Sequence, residues 1–257
     1  MKKLTFITLF FLELTLFGQR LQISTIGSQV TPKEVAKIEF GLRFQNNFYR
    51  KQFDHISDQV INVKVYGDYS DFYDYASECC ALDRFTTAFF IEGQNEIVVF
   101  KNQEFLRSLN HEISHALTAG IGLQEYPWLD EGLAEVMSSF RLDSLGNLTT
   151  EDLFYTEALN ISYRTSRELR RFLSLDREAW EDLTTNESYG LSWAIVNYMY
   201  QDDRLLLTKV LDGIQKGITP LETIIAEQKK GLRQFVKGFK RHYRRNKYQV
   251  SETRKEL

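Results

Sequence analysis

Three residues in one short segment, His111, Glu112 and His115, have the types and spacing of a hydrolytic metal site. The segment reads HEISH, and apolar residues around it recur at helical spacing from Glu104 to Ala119. Two histidines four residues apart project from one face of a helix, so both imidazoles can bind one cation. The carboxylate of Glu112 can accept a proton from an activated water and deliver it to a leaving amine. The spacing predicts a zinc site with Glu112 as catalytic base.

A zinc hydrolase needs a third protein ligand and keeps a fourth position open, so the chain must supply one more group. A metzincin-type site would need a glycine at position 118 and a histidine at position 121, where this chain has Thr118 and Ile121. His55 and His242 are alternatives, but neither lies among other site-like residues. The third ligand is therefore expected to be a carboxylate.

Glu131, in the segment PWLDEGLAE, is the ligand we favour. The turn-rich stretch GIGLQEYP before it can reverse the chain, so that a helix from Leu129 to Phe140 runs back along the first. A carboxylate in the opening turn of that helix can face the imidazoles. Asp130 and Glu125 are competing ligands. Glu135, one turn later, is expected to accept a hydrogen bond from a ligand histidine.

HEISH followed by WLDEGLA resembles the gluzincin metallopeptidases, which include thermolysin-like and aminopeptidase N-type enzymes. In that group the glutamate of a similar N-E-G or D-E-G segment completes the zinc site, a role that falls to Glu131 here. Fifteen residues separate His115 from Glu131, fewer than in those two enzyme types. The chain looks more like the bacterial peptidase-MA-like domains, which combine a strand pair, HExxH, a proline shortly before W-L-x-E-G-L-A, and a later Y-x-x-S-W-A segment.

That last element is present as Tyr189 followed by GLSWA, and the resemblance covers roughly residues 60–200. One departure is that Pro127 directly precedes Trp128, where relatives often have a residue between. The resemblance implies a zincin-like fold, a Zn²⁺ cofactor and peptide-bond hydrolysis. It also suggests that the Tyr189 hydroxyl stabilises the developing oxyanion, as in some gluzincins. Alternatively, Tyr189 and Trp193 only pack their helix against the active-site helix. Because no G-x-M-E-N element is present, resemblance to the aminopeptidases stops at the metal site.

Hydrophobic periodicity predicts an α+β fold, with a small antiparallel or mixed sheet and the active-site helix followed by a helical C-terminal lobe. The first helix is ambiguous, because Ile38 to Phe44 also alternate as a strand would. The predicted N-terminal elements are a helix at 32–53, a strand at 60–66, a helix at 71–82 and antiparallel strands at 86–91 and 96–100. The predicted C-terminal helices are at 152–172, 178–183, 188–201, 204–215, 220–228 and 230–245, with a break at Gly217 and Pro220.

The N-terminus is typical of a secretory signal, because Lys2 and Lys3 precede a mostly apolar run that ends before Gly18 and Gln19. We expect a cleavable signal at residues 1–18 and an exported protein, periplasmic or secreted. A buried or anchored first helix is the alternative, although the run is well short of the ~20 residues that a span needs. A single zincin-like domain at 19–248 should follow, with a sheet-containing lobe to about residue 125, a helical lobe after it, and a polar tail at 249–257.

Composition limits the partners of this 257-residue chain. Its formal net charge of −3 projects no strong field toward nucleic acid. We expect a peptide or protein substrate, a monomer, and no transmembrane span in the mature chain. The basic run from Lys229 to Lys247 is interpreted as the solvated face of an amphipathic helix rather than a membrane-binding surface. The adjacent Cys79 and Cys80 cannot easily form a disulfide, and we expect two free thiols buried as small apolar residues.

Two further hypotheses concern activity and substrate. The fold could be retained as a non-catalytic zinc-binding or peptide-binding module, or the site could hydrolyse an acyl bond other than a peptide. If the chain is a peptidase, a substrate strand is expected to pair along the strand at 96–100.

Overall fold

The computed structural model describes residues 12–16, 19–80, 86–142, 148–150 and 165–253. They divide into two compact units. The first consists of Met1–Gly120 and Phe140–Leu148, and the second of Ile121–Ser139 and Thr149–Leu257. The expected α+β class is confirmed, because the first unit holds a small mixed sheet and the C-terminal part is helical. The sequence predicts that the sheet-containing lobe ends at about residue 125, and the first change of unit comes at Gly120.

The sheet of the first unit has five described strands in the order β1-β2-β3-β5-β4. They are β1 (Leu12–Leu16), β2 (Gln19–Ile26), β3 (Ile61–Tyr66), β4 (Ala88–Ile91) and β5 (Glu96–Phe100). β2, β3 and β5 are mutually parallel, whereas β1 and β4 run antiparallel to their neighbours. The sequence predicted β3, β4 and β5 to within two residues. It missed β1 and β2, although Leu21, Ile23 and Thr25 alternate inward along β2.

β5 lies inside the sheet, with β3 on one side and β4 on the other. The expectation that a substrate strand could pair along β5 is therefore wrong, since both of its edges are already hydrogen-bonded. β4 is the terminal strand of the order, and β5 is its one neighbour among the described strands. β1 lies in the segment predicted as a signal, and the signal itself stays a prediction.

The helices of the first unit are α1 (Pro32–Gln52), α2 (Tyr69–Cys80) and α3 (Phe105–Thr118). The ambiguous first segment is helical because Thr31 and Glu34 form a capping box. The Thr31 hydroxyl accepts from the Glu34 amide, and the Glu34 carboxylate accepts from the Thr31 amide. α2 packs Phe72 and Ala76 against Val98 on one face of the sheet. Side chains alternate along a strand, so the neighbours of Val98 point to the other face. α3 itself packs on β4 and β5.

The cysteines differ in part from expectation. Both are free thiols, as predicted, but Cys79 is exposed and Cys80 is only partly buried. The buried face of α2 contains Phe72 and Ala76. Cys80 continues that row at helical spacing and Cys79 falls beside it, which explains the difference in exposure. Burial raises the pKa of the Cys80 thiol to about 11.

Helices make up most of the second unit. They are α4 (Pro127–Ser139), α5 (Ser166–Leu173), α6 (Arg177–Glu181), α7 (Leu191–Asp202), α8 (Arg204–Gln215), α9 (Pro220–Glu227) and α10 (Leu232–Thr253). A 3₁₀ turn at Leu123–Glu125 precedes α4, and a π-helical turn at Asn186–Gly190 precedes α7. Two short strands form a separate pair: β6 (Phe140–Leu142), in a segment of the first unit, and β7 (Leu148–Thr150).

The predicted helical segments agree with these helices within a few residues, with two exceptions. Residues 151–164 lie outside the described residues, and α10 continues to Thr253, eight residues beyond the predicted end at 245. The predicted break is present, with Gly217 at a φ of 72° and Pro220 in the first turn of α9. α10 buries Phe235, Phe239 and Tyr243, and its exposed side is basic, which supports a solvated face. None of the helices described has the length and apolar character needed to cross a bilayer.

Candidate metal centre

α3 presents His111 and His115 on the same side, as their spacing predicts. Their Nε2 atoms are 3.1 Å apart, and the ring centroids are separated by 4.9 Å. Two nitrogens bound to one tetrahedral zinc ion at ~2.0–2.1 Å would lie about 3.4 Å from each other. The two imidazoles therefore already hold nearly the nitrogen separation that a shared metal ion requires.

Glu131 completes the group. One ligand atom from each of His111, His115 and Glu131 lies within 4.8 Å of the other two. Both histidines are partly exposed, and Glu131 is buried with 7% of its surface accessible. Two imidazoles and one carboxylate are the donors of the His₂Glu class of catalytic zinc sites. These three residues, the set that the sequence predicted, could hold a metal ion.

The competing ligands are placed differently. Asp130 shares Arg177 with Glu131 but is not part of the group, and Glu125 is exposed in the 3₁₀ turn before α4. His55 is exposed, and His242 is buried with its Nδ1 3.0 Å from Asp202. In the part of the chain that the structure describes, none of these residues belongs to a metal-capable group.

One face of α3, about 100° around the helix from the histidines, forms a polar seam with α1, made by Gln45, Tyr49, Asn110 and Ser114. The Gln45 side chain donates to the Asn110 carbonyl at 2.8 Å, and the Tyr49 hydroxyl bonds the Ser114 hydroxyl. All four residues are buried. At Gly41 a β-carbon would lie 2.0 Å from Asn110 Oδ1, so a larger residue there would force the Asn110 side chain to move. The seam holds the helix that carries both histidines.

α4, which carries Glu131, is buried along its whole length. It packs against α7, and a β-carbon on Gly132 would lie 2.6 Å from the Ser192 carbonyl oxygen. The Ser192 hydroxyl accepts from the Trp180 indole at 3.3 Å. The glycine next to Glu131 therefore lets the two helices approach at the site.

Because α4 is buried, its carboxylates need partners. Arg177 of α6 supplies one guanidinium to two of them: Nη1 donates to Glu131 Oε1 at 2.9 Å, and Nη2 donates to Asp130 Oδ2 at 3.2 Å. Burial alone would lower the pKa of Arg177, but the two carboxylates raise it above its ordinary value. The guanidinium therefore stays charged across the physiological pH range.

Three further residues were given roles by the sequence: Glu112, Glu135 and Tyr189. Glu112 follows His111 on α3 and is partly exposed. Glu135, one turn after Glu131, is buried, and its hydrogen bond to a histidine stays a prediction. Tyr189 lies in the π-helical turn and is partly exposed; its ring packs edge-on against Trp180 at 4.8 Å. Its predicted role at the oxyanion stays a prediction.

Sequence reasoning missed Arg177, the polar seam and the contact of Gly132 with Ser192. The glycine carried a signal, since it directly follows the predicted ligand Glu131 in the D-E-G segment. Asn110 and Ser114 also carried one, because they are polar residues four positions apart and therefore share one face of α3. Arg177 carried none, as it is one of 32 Lys and Arg residues and lies 46 positions from Glu131.

Residues 106–222, somewhat less than half of the chain, match a family model described as "Protein of unknown function (DUF1570)". The matched region includes HEISH, DEGLAE and the Tyr189 segment. It also includes Arg177 and Ser192. No curated protein matches the chain.

Proposed function

We propose that this chain is an exported zinc-dependent peptidase of the gluzincin type, with His111, His115 and Glu131 as metal ligands and Glu112 as general base. The observation that carries the proposal is the approach of one ligand atom from each of the three residues to within 4.8 Å. Glu112 directly follows His111 and lies on α3 with both histidines. The proposed location follows from the signal-like N-terminus alone.

The donor set favours zinc over the hard cations. Calcium and magnesium prefer oxygen ligands, whereas imidazole suits zinc and its transition-metal neighbours. Three protein ligands from two histidines and a glutamate are typical of catalytic rather than structural zinc sites. When bound, zinc supplies a Lewis acid that polarises a scissile carbonyl and lowers the pKa of water.

Glu112 moves the proton. Its partly exposed carboxylate accepts a proton from the water that attacks the scissile carbonyl carbon. The same group then donates that proton to the amide nitrogen as the C–N bond breaks, so the amine leaves neutral. Glu112 ends as a carboxylate and is ready for the next cycle.

We propose that the substrate is an extended peptide that binds along β4 of the first unit. β4 ends the described sheet and packs on α3, the helix that carries the histidines. A peptide added along β4 by main-chain hydrogen bonds would therefore lie beside that helix. Tyr189, in a π-helical turn of the kind often found at functional sites, is proposed as a hydrogen-bond donor to the developing oxyanion.

The deciding experiment measures metal content and peptide cleavage of the same protein samples. Wild type and Glu112→Gln should each contain about one zinc per chain, and only wild type should cleave peptides in a mixed library. His115→Ala should lose both metal and cleavage. Zinc binding by wild type without cleavage of any peptide would instead support the non-catalytic module. No zinc in the wild type would reject both.

A further inference from the structure

We infer that Arg177 is a positioning residue that orients the Glu131 carboxylate for metal binding and acts only in combination with Asp130. This inference rests on the proposed metal centre. Arg177 belongs to neither HEISH nor DEGLAE, the two segments that contain the proposed ligands. Arg177, Asp130 and Glu131 all lie within the second unit.

The contact is a fork from one guanidinium to two neighbouring carboxylates. The side chains of Asp130 and Glu131 are 10% and 9% exposed, so both need a charged partner. The planar guanidinium reaches Glu131 Oε1 and Asp130 Oδ2 at once, a geometry that lysine cannot reproduce. The paired donors therefore restrict the orientation of the Glu131 carboxylate as well as balancing charge.

Arg177 is itself held in place. Asp176 caps its helix by accepting from the Ala179 amide at 2.9 Å. The Arg177 guanidinium lies 5.8 Å from the ring centre of Trp180, which is buried. Trp180 is fixed in turn by its bond to Ser192. A side chain anchored in this way can hold a ligand in one orientation, unlike a mobile surface arginine.

Two effects of Arg177 on a bound dication oppose each other. Its charge repels a cation, whereas its bond to Oε1 orders the carboxylate and keeps that oxygen in an ion pair, which favours binding through Oε2 alone. Asp130 decides the balance, because Arg177 and Asp130 together carry no net charge. The pair therefore orients Glu131 without placing an extra positive charge beside the metal. We expect Arg177 to strengthen zinc binding for this reason.

The test is zinc affinity measured by chelator competition, together with the visible spectrum of the cobalt-substituted protein. Arg177→Gln should weaken zinc binding about 10- to 100-fold, as is typical when a residue that orients a metal ligand is removed. Arg177→Lys should recover only part of the loss, because it retains the charge but not the fork. Asp130→Asn, which leaves the arginine charge unbalanced, should also weaken binding. Arg170→Gln, at an exposed arginine of α5, is the matched control and should bind as wild type.

A double variant separates positioning from general damage. If Arg177 acts through Glu131, Arg177→Gln should weaken binding in the wild-type background and add little in a Glu131→Ala background. The cobalt spectrum of Arg177→Gln should also differ from that of wild type, since the carboxylate geometry changes. If Arg177→Gln fails to fold, as judged by circular dichroism, Arg177→Lys and Asp130→Asn carry the same test.

The outcomes distinguish this inference from the proposed function. Wild-type affinity and an unchanged cobalt spectrum in the folded Arg177 and Asp130 variants would overturn the inference and leave the zinc peptidase intact. An equal loss in the Glu131→Ala background would also overturn it. Failure of the wild type to bind zinc would reject the proposed function, and this inference with it.

Discussion

Gly132 in α4 lies so close to Ser192 in α7 that a β-carbon on Gly132 would be 2.6 Å from the Ser192 carbonyl oxygen. The DEGLAE and YGLSWA segments are separate motifs in the sequence, but they meet at this point. Glu131 directly precedes the glycine. The close approach of the two helices is therefore part of what sets the position of Glu131, the proposed ligand.

Replacing Gly132 with alanine should destabilise the protein and weaken zinc binding. The new methyl would meet the Ser192 backbone and Val196, and backbone atoms cannot move aside as a flexible side chain can. Overpacking of this kind costs about 1–3 kcal/mol, and each kcal/mol lowers Tm by about 2–4 °C in a protein of this size. Thermal unfolding and zinc titration measure the two effects. Gly93→Ala is the control, because nothing lies within 4 Å of its added β-carbon; an equal loss in both variants would contradict the explanation.

Removing zinc from the site formed by His111, His115 and Glu131 should lower the thermal stability of the protein. A ligand present at 100 times its Kd stabilises a folded protein by about 2.7 kcal/mol, so zinc should raise Tm by roughly 5–10 °C over the chelated protein. His111→Ala should show no such response, because two of the three donors cannot hold the ion tightly. His55→Ala changes an exposed histidine outside the group and should respond as wild type. A zinc response that survives His111→Ala would place the metal elsewhere.

Tyr49→Phe should destabilise the fold without changing metal stoichiometry. The change removes the partner of the buried Ser114 hydroxyl and leaves that group unsatisfied, at a cost of about 1–2 kcal/mol. Urea unfolding measures the loss. Tyr49→Phe combined with Ser114→Ala removes both hydroxyls, so its cost should be smaller than the sum of the single changes. Additive losses would mean that the hydrogen bond contributes little.

Tyr189→Phe tests the proposed oxyanion donor. Phenylalanine keeps the ring that packs against Trp180 and removes only the hydroxyl. Loss of such a donor typically lowers kcat about 10²- to 10³-fold, with zinc content and Tm unchanged. Unchanged kcat would mean that Tyr189 only packs its helix.

The two thiols should differ in reactivity toward a disulfide reagent. The thiolate is the reactive form, and Cys80, with its pKa raised to about 11, stays protonated at pH 8. Cys79 is exposed. In the native protein about one equivalent of thiol should react rapidly with the reagent. In the denatured protein two equivalents should react. In Cys79→Ser the rapid phase should disappear; its persistence would show that Cys80 reacts instead.

Local patterns account for the part of the fold that the sequence predicted. Apolar spacing and caps located α1, α3 and most C-terminal helices within a few residues, since these signals act within one or two turns. The proposed ligand set was also accessible, because HEISH is local and Glu131 stands in a recognisable segment. β2 was missed because its alternating residues directly follow the signal-like N-terminus, whose pattern predicts a processing signal and not a strand.

Contacts between distant residues account for most of the remainder. Which strand ends the sheet depends on the order β3-β5-β4, and no local pattern encodes that order. For the same reason β5 seemed available to a substrate when it is not. Arg177 reaches Glu131 only because α6 folds onto α4, so its role becomes visible only with the fold.

The polar seam between α1 and α3 has a consequence for the direction of the histidines. An α-helix that slips by one residue turns its side chains by about 100°, and an apolar contact can often repack after such a turn. In this protein such a slip of α3 would break the hydrogen bonds of Asn110 and Ser114 at the same time. Buried polar groups would then be left without partners. Folding therefore sets the rotation of α3 about its axis. Both imidazoles would then have the orientation needed to bind a metal ion before the ion arrives.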